Sequence, residues 1–143
     1  MTMAMDNIFG IAGSALNAQL TRMNATASNL ANAGTVSGNE QEAFRAKRPV
    51  FKSLMDEQMV QSGQPYVGGV RVAQMVDDKA PTVRIHDPRN PLADKDGFVY
   101  KSNVSEVTEM VEMMAAARSY QNNVEVINTA RQLMMRTLDV AKA

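Results

Sequence analysis

The chain has 143 residues, enough for one domain with an ordinary core. Its 15 basic and 15 acidic residues balance, which argues against electrostatic capture of nucleic acid or of an anionic membrane as the main activity. The absence of cysteine removes disulfides, thiolate nucleophiles and Cys-ligated zinc together. At the N-terminus, Met1 to Asp6 offers no basic stretch leading into an apolar one. Nowhere do about 18 apolar residues run together. Neither a cleaved secretory signal nor direct membrane insertion is expected.

A first helix is predicted from about Ile8 to Asn32. Phe9, Gly13, Leu16, Leu20, Met23, Ala27 and Leu30 follow one another at alternating spacings of four and three, the rhythm of a helix-packing seam. Between Met1 and Asn39 the only charged residues are Asp6 and Arg22. The remaining face is Ala, Ser, Thr, Asn and Gln, small polar residues that let other helices approach closely, so burial on more than one side is expected. Ala33 to Asn39 then ends the helix, with Gly34 and Gly38 supplying backbone freedom.

The centre reads as extended chain. Arg45, Lys47, Arg48 and Lys52 lie among Phe44, Val50 and Phe51, and Pro49 forbids a helix interior, so this segment is predicted as a solvated strand edge. Gln61 to Gly69 has loop composition. Val70 to Val76 and Thr82 to Ile85 both alternate with a period of two about Asp77 to Pro81, which predicts a hairpin, with Phe98 to Tyr100 as a third short strand. Five of the seven aromatics (Phe44, Phe51, Tyr66, Phe98 and Tyr100) fall here, so a small central core is expected.

A second helix is predicted from about Val104 to Ala141, capped by Asn103 with Glu106 three residues on. Met110, Met114, Ala117, Tyr120, Val124, Ile127, Ala130, Met134, Leu138 and Ala141 form one stripe along it. It would be roughly 55 Å long against roughly 40 Å for the first, so part of it must pack on the central segment or on another subunit. The predicted class is α+β, mainly α. Residues 1–35 form the N-terminal helix, 36–102 the β-rich insert and 103–143 the C-terminal helix, the two helices making one antiparallel, coiled-coil-like domain. Phe9, Leu16, Leu20, Met23 and Leu30 are expected against Met110, Met114, Val124, Ile127 and Met134, with Leu138 continuing the stripe.

Few residues invite chemistry. His86, Asp87, Asp94 and Asp96 stand close together, but Asp87-Pro88, Asn90-Pro91 and Asp94 to Gly97 are turn-forming strings. Read as a calcium loop, the Asp94 to Gly97 string places Leu92 and Asn103 where the end carboxylates belong. No phosphate-cradling glycine motif is present, and a serine nucleophile would have His86 as its one possible base. No catalytic residue, metal or cofactor is expected. Five methionines on the second helix suit varied helix contacts instead.

Ser28-Asn29-Leu30-Ala31-Asn32, with Thr35 beyond it and Ser14 to Leu16 before it, resembles the N-terminal signature shared by bacterial flagellar rod and hook proteins. The string from Asp87 to Val99, carrying Pro88, Pro91, Asp94 and Gly97, resembles the basal-body rod family in its proximal members, as do Asn103-Val104, Glu109 to Val111, and Ala117 to Tyr120 with Asn123. That resemblance implies a non-enzymatic axial subunit, exported through the flagellar type III apparatus without a cleaved signal. It implies polymerisation, with copies of itself and other rod subunits, into the periplasmic rod that transmits torque and surrounds the export channel. Membrane-ring and rod-adaptor proteins would meet it at the rod base. The rival expectation is a soluble coiled-coil adaptor or export chaperone, which would carry many flanking charges on both helices; the first helix lacks them.

Overall fold

The computed structural model describes residues 2–54 and 68–142, with side chains for 7–54 and 68–141. The loop read at Gln61 to Gly69 lies outside the described residues up to residue 67. Among the described residues there are two long helices, α1 (Thr2–Ala31) and α2 (Glu106–Lys142). Between them lie β1 (Val36–Ser37), β2 (Lys47–Ser53), β3 (Val70–Asp77), β4 (Val83–His86) and β5 (Phe98–Lys101). The architecture is α+β, with the two helices packed against each other and a small sheet insert between them in sequence.

Strand pairing departs from the predicted hairpin. β3 pairs with β2, and β4 pairs with β5 in a three-stranded sheet of order β1-β5-β4. In that sheet Ile85 faces Val99, His86 faces Phe98, and Val36 faces Lys101, all antiparallel. Burial alternates over part of β3, whereas all four residues of β4 are exposed, and the segment joining the two strands is held from outside. Asp78 N–H donates to Ala46 O at 2.8 Å, and Asn103 Nδ2 donates to the carbonyls of Asp78 and Ala80 at 3.2 and 2.9 Å. With those groups engaged elsewhere, a tight turn returning β4 onto β3 has no bonds left to close it.

The same asparagine explains a second correction. Asn103 does not cap α2, because its Oδ1 accepts from Ala46 N–H at 2.8 Å. The helix starts two residues later than the Asn103 cap implied, its first bond running from Glu109 N–H to Ser105 O at 2.9 Å, with Glu106 and Glu109 in the first turn where the helix dipole favours acids. At the other end of the connection, α1 is closed by Asn32 Nδ2 donating to Ser28 O at 2.8 Å, and Thr35 Oγ1 donating to Asn32 O at 2.7 Å. Gly34 and Gly38 keep negative φ, so that closure rests on side-chain bonds rather than on left-handed glycine.

The described residues gather into two compact units. The first comprises the described parts of Met1–Thr21, Val50–Gln74 and Ala115–Ala143. In it Ala12, Ala18, Ala116 and Ala130 are buried. Gly69, at φ +122°, brings the chain so close to α1 that a Cβ there would lie 2.7 Å from Ser14 Oγ. That hydroxyl donates to Ile11 O at 2.7 Å and accepts from Val70 N–H at 3.1 Å. The second unit comprises Arg22–Pro49 and Met75–Met114. Its buried apolar residues are Ala25, Ala33, Ala43, Ala46 and Val99, with Thr26, Asn29, Ser102 and Glu109 buried beside them.

Eight of the nine buried apolar residues among the described ones are therefore alanines. Alanine offers about one methyl each to the hydrophobic effect, on the order of 0.8 kcal/mol, but it lets backbones approach closely. The large apolar residues expected inside are displaced outward: Leu20 is 47% exposed, Met110 51%, Met114 72% and Leu138 54%. Their expected places within the chain are corrected accordingly. Along α2 the buried positions are Glu109, Ala116 and Ala130, spaced in sevens, which puts the inner line one residue before Met110 and Ala117. Phe9, Leu16, Met23, Leu30, Val124, Ile127 and Met134 are half-buried.

Candidate functional site

The first feature is a buried polar anchor in the second unit. Asn29, in the last turn of α1, is fully buried, as is Glu109 in the first turn of α2. Asn29 Nδ2 donates to Glu109 Oε2 and to Lys47 O, both at 3.0 Å, while Asn29 Oδ1 accepts from Lys47 N–H at 2.7 Å. One carboxamide thus takes both backbone groups of Lys47, as a neighbouring strand would. Arg48 Nη1 lies 2.6 Å from Glu109 Oε1 and neutralises the buried charge, although no N–H points along that line and Oε1 has no aligned donor. Arg48 Nε also sits 3.6 Å from Asp78 Oδ2. Nearby, Arg22 pairs with Glu112, which accounts for one of the two charges on the first helix.

This cluster joins the Ser28 to Asn32 string to β2 and α2. Within that string Ser28 and Ala31 are exposed, Leu30 and Asn32 half-buried, and Asn29 points inward. Ser102 completes the junction, donating from Oγ to Ala33 O at 2.7 Å and from N–H to Thr35 O at 3.2 Å.

The second feature is the loop from Asp87 to Gly97. Asp94 Oδ1 accepts from Asp96 N–H at 3.0 Å and Phe98 N–H at 2.8 Å, and Asp87 N–H donates to Gly97 O at 2.9 Å. Gly97 takes φ +77°, where a Cβ would sit 3.1 Å from Pro88 Cβ. Pro88 and Pro91 are exposed on its surface. His86 meets Phe98 edge-on at 4.9 Å between ring centres, and the Arg84 guanidinium lies 3.6 Å over that ring. The carboxylate of Asp94 is thus engaged in turn bonds. Among the described residues no group of three His, Cys, Asp or Glu side chains is placed to hold a metal ion.

The third feature is apolar surface. Val107 (72% exposed), Met110, Val111 (61%) and Met114 occupy one face of α2 at three- and four-residue spacings. In the first unit an open groove of about 410 Å³ is lined by Ile8, Asn122, Val126, Thr129 and Leu133, among others. Monomeric proteins seldom leave contiguous apolar patches of this kind, and those that do use them for contact. Sequence reading places Met110 and Met114 on a stripe but misses Val107 and Val111. Nothing in hydropathy links Glu109 to Arg48.

Residues 9–38 match the family described as "Flagella basal body rod protein", and residues 95–140 match "Flagellar basal body rod FlgEFG protein C-terminal". The first stretch holds Asn29 and the second Glu109. Similar curated proteins include the flagellar basal-body rod protein FlgC of Yersinia enterocolitica, 49% identical over 140 residues, covering 98% of this chain and 100% of the relative. FlgC of Salmonella typhimurium strain LT2 is 47% identical with the same coverage. FlgC of Bacillus subtilis strain 168 is 32% identical, covering 92% of this chain and 95% of the relative.

Proposed function

This chain belongs to the FlgC family of flagellar basal-body rod proteins, a structural and non-enzymatic family, and from that premise we propose how it is built into the rod. The chain is a basal-body component. Residues 1–35 and 103–143 act as one axial domain, an antiparallel, coiled-coil-like helix pair, with 36–102 as the insert. Two pairs in the second unit support the antiparallel sense, since Arg22 meets Glu112 and Asn29, further along α1, meets the earlier Glu109.

The observation that carries the reading is the apolar surface left on the helices while alanine fills the seam between them. Phe9, Leu16, Leu20, Met23, Leu30, Met110, Met114, Val124, Ile127, Met134 and Leu138 then supply contacts to neighbouring copies and to other rod subunits. The polymer forms a tube around the export channel and passes torque through many side-by-side contacts. The subunit reaches the periplasm through the flagellar type III apparatus with no cleaved signal, and membrane-ring and rod-adaptor proteins receive it at the rod base. The Asp87 to Gly97 loop serves as a stiff contact or spacer between subunits.

Leu20→Asp tests the reading. With Leu20 47% exposed, this change should cost the free fold only about 1 kcal/mol, from helix propensity and partial burial, whereas a buried unpaired charge at a subunit contact is not tolerated. Cells complemented with the variant should make a folded chain and no rods by cryo-tomography. Normal rods would remove Leu20 from the assembly surface.

A further inference from the structure

Met110 and Met114 are one helical turn apart, 51% and 72% exposed, on a face whose other members are Val107 and Val111. The chain contains twelve methionines and neither cysteine nor tryptophan, so thioethers are the sulfur groups open to a two-electron oxidant. Met23, Met113 and Met134 are half-buried, which separates them from these two in access, while Met75 and Met135, 45% and 57% exposed, share that access but lie outside the Val107 to Met114 stretch.

We propose that Met110 and Met114 form an oxidation-sensitive modification site that controls whether the free subunit joins the rod. The inference rests on the reading of this stripe as a subunit contact. In the step itself, a sulfur lone pair attacks one oxygen of hydrogen peroxide, the O–O bond breaks, and that oxygen stays on sulfur. Proton transfer to the departing hydroxide releases water. The thioether is oxidised by two electrons to the sulfoxide, and peroxide is reduced to water. The product replaces a flexible apolar group by a polar one that needs a hydrogen-bond donor. Val107 and Val111 carry no donor, and Arg118 stands four residues beyond Met114, so the sulfoxide of Met110 is the one that a neighbouring apolar face leaves unpaired. Once the subunit is in place, the same contact shields both sulfurs.

The test uses the full-length chain and hydrogen peroxide. In the purified free protein, site-resolved mass spectrometry should find Met110 and Met114 gaining one oxygen several-fold faster than Met23, Met113 and Met134; equal rates would overturn the proposal. In cells given a sublethal peroxide pulse while rods are being built, wild type should lose new rods and Met110→Leu/Met114→Leu should retain them. Untreated Met110→Gln/Met114→Gln should melt as wild type does and fail to build rods. If the leucine variant is as sensitive as wild type while the glutamine variant fails, the modification proposal falls and the contact remains. If the glutamine variant builds normal rods, the contact reading falls and takes the proposal with it.

Discussion

Glu109 has no exposed surface, and two side chains that are distant in sequence hold its carboxyl group. Arg48→Leu strips the one charge partner it has among the described residues and should destabilise the free chain by about 3 kcal/mol, the low end for a buried pair because Arg48 itself reaches solvent. Adding Glu109→Leu should recover most of that loss. Urea denaturation of the single and double variants checks both, and additive losses would contradict the pairing. Asn29→Ala leaves both backbone groups of Lys47 without partners and should lose about 1–3 kcal/mol, with faster hydrogen exchange at the Lys47 amide. Unchanged exchange there would mean that water replaces the carboxamide. The Ser28 to Asn32 string was visible in the sequence, but the inward role of Asn29 was not. A hydropathy pattern scores asparagine and glutamate as outward residues, and only the partner found across the fold reverses that.

Among the elements, both long helices were legible because seven or more apolar positions repeat at helical spacing, and only their ends and their inner line were misplaced. α2 turns one residue from the expected stripe at its start, where Glu109 is drawn inward and Ala116 permits close approach, leaving Val107, Met110, Val111 and Met114 outside. β2 to β5 were legible as strands and β1 was not, and β3 and β4 were paired wrongly, since the Asn103 bonds that part them join residues more than twenty apart. The close approach at Gly69 lends itself to a direct test. Gly69→Ala places a methyl group against Ser14 Oγ and keeps a left-handed φ, so a loss of about 1–3 kcal/mol is expected in thermal unfolding of the free chain. An unchanged melting temperature would show that this segment lifts from α1 without consequence.

For the molecule as a whole, a seam of alanines gives close helix approach but modest burial, so a single subunit keeps apolar surface to spend on its neighbours. Beyond Ala130, α2 residues up to 141 are exposed apart from half-buried Met134. Backbone amides there should exchange quickly in the free chain and slowly in isolated basal bodies, since stability in a helix this bare comes from packing rather than from propensity. Slow exchange in the free chain would place the order before assembly. Whether the outer face of α2 is covered on incorporation can be read from a single introduced thiol, because the chain has no cysteine of its own. Val111→Cys, labelled with a maleimide in the free chain and in purified basal bodies, should react readily in the first and hardly at all in the second. Equal labelling in both would show that this face stays open in the rod, and the account of assembly through it would fail.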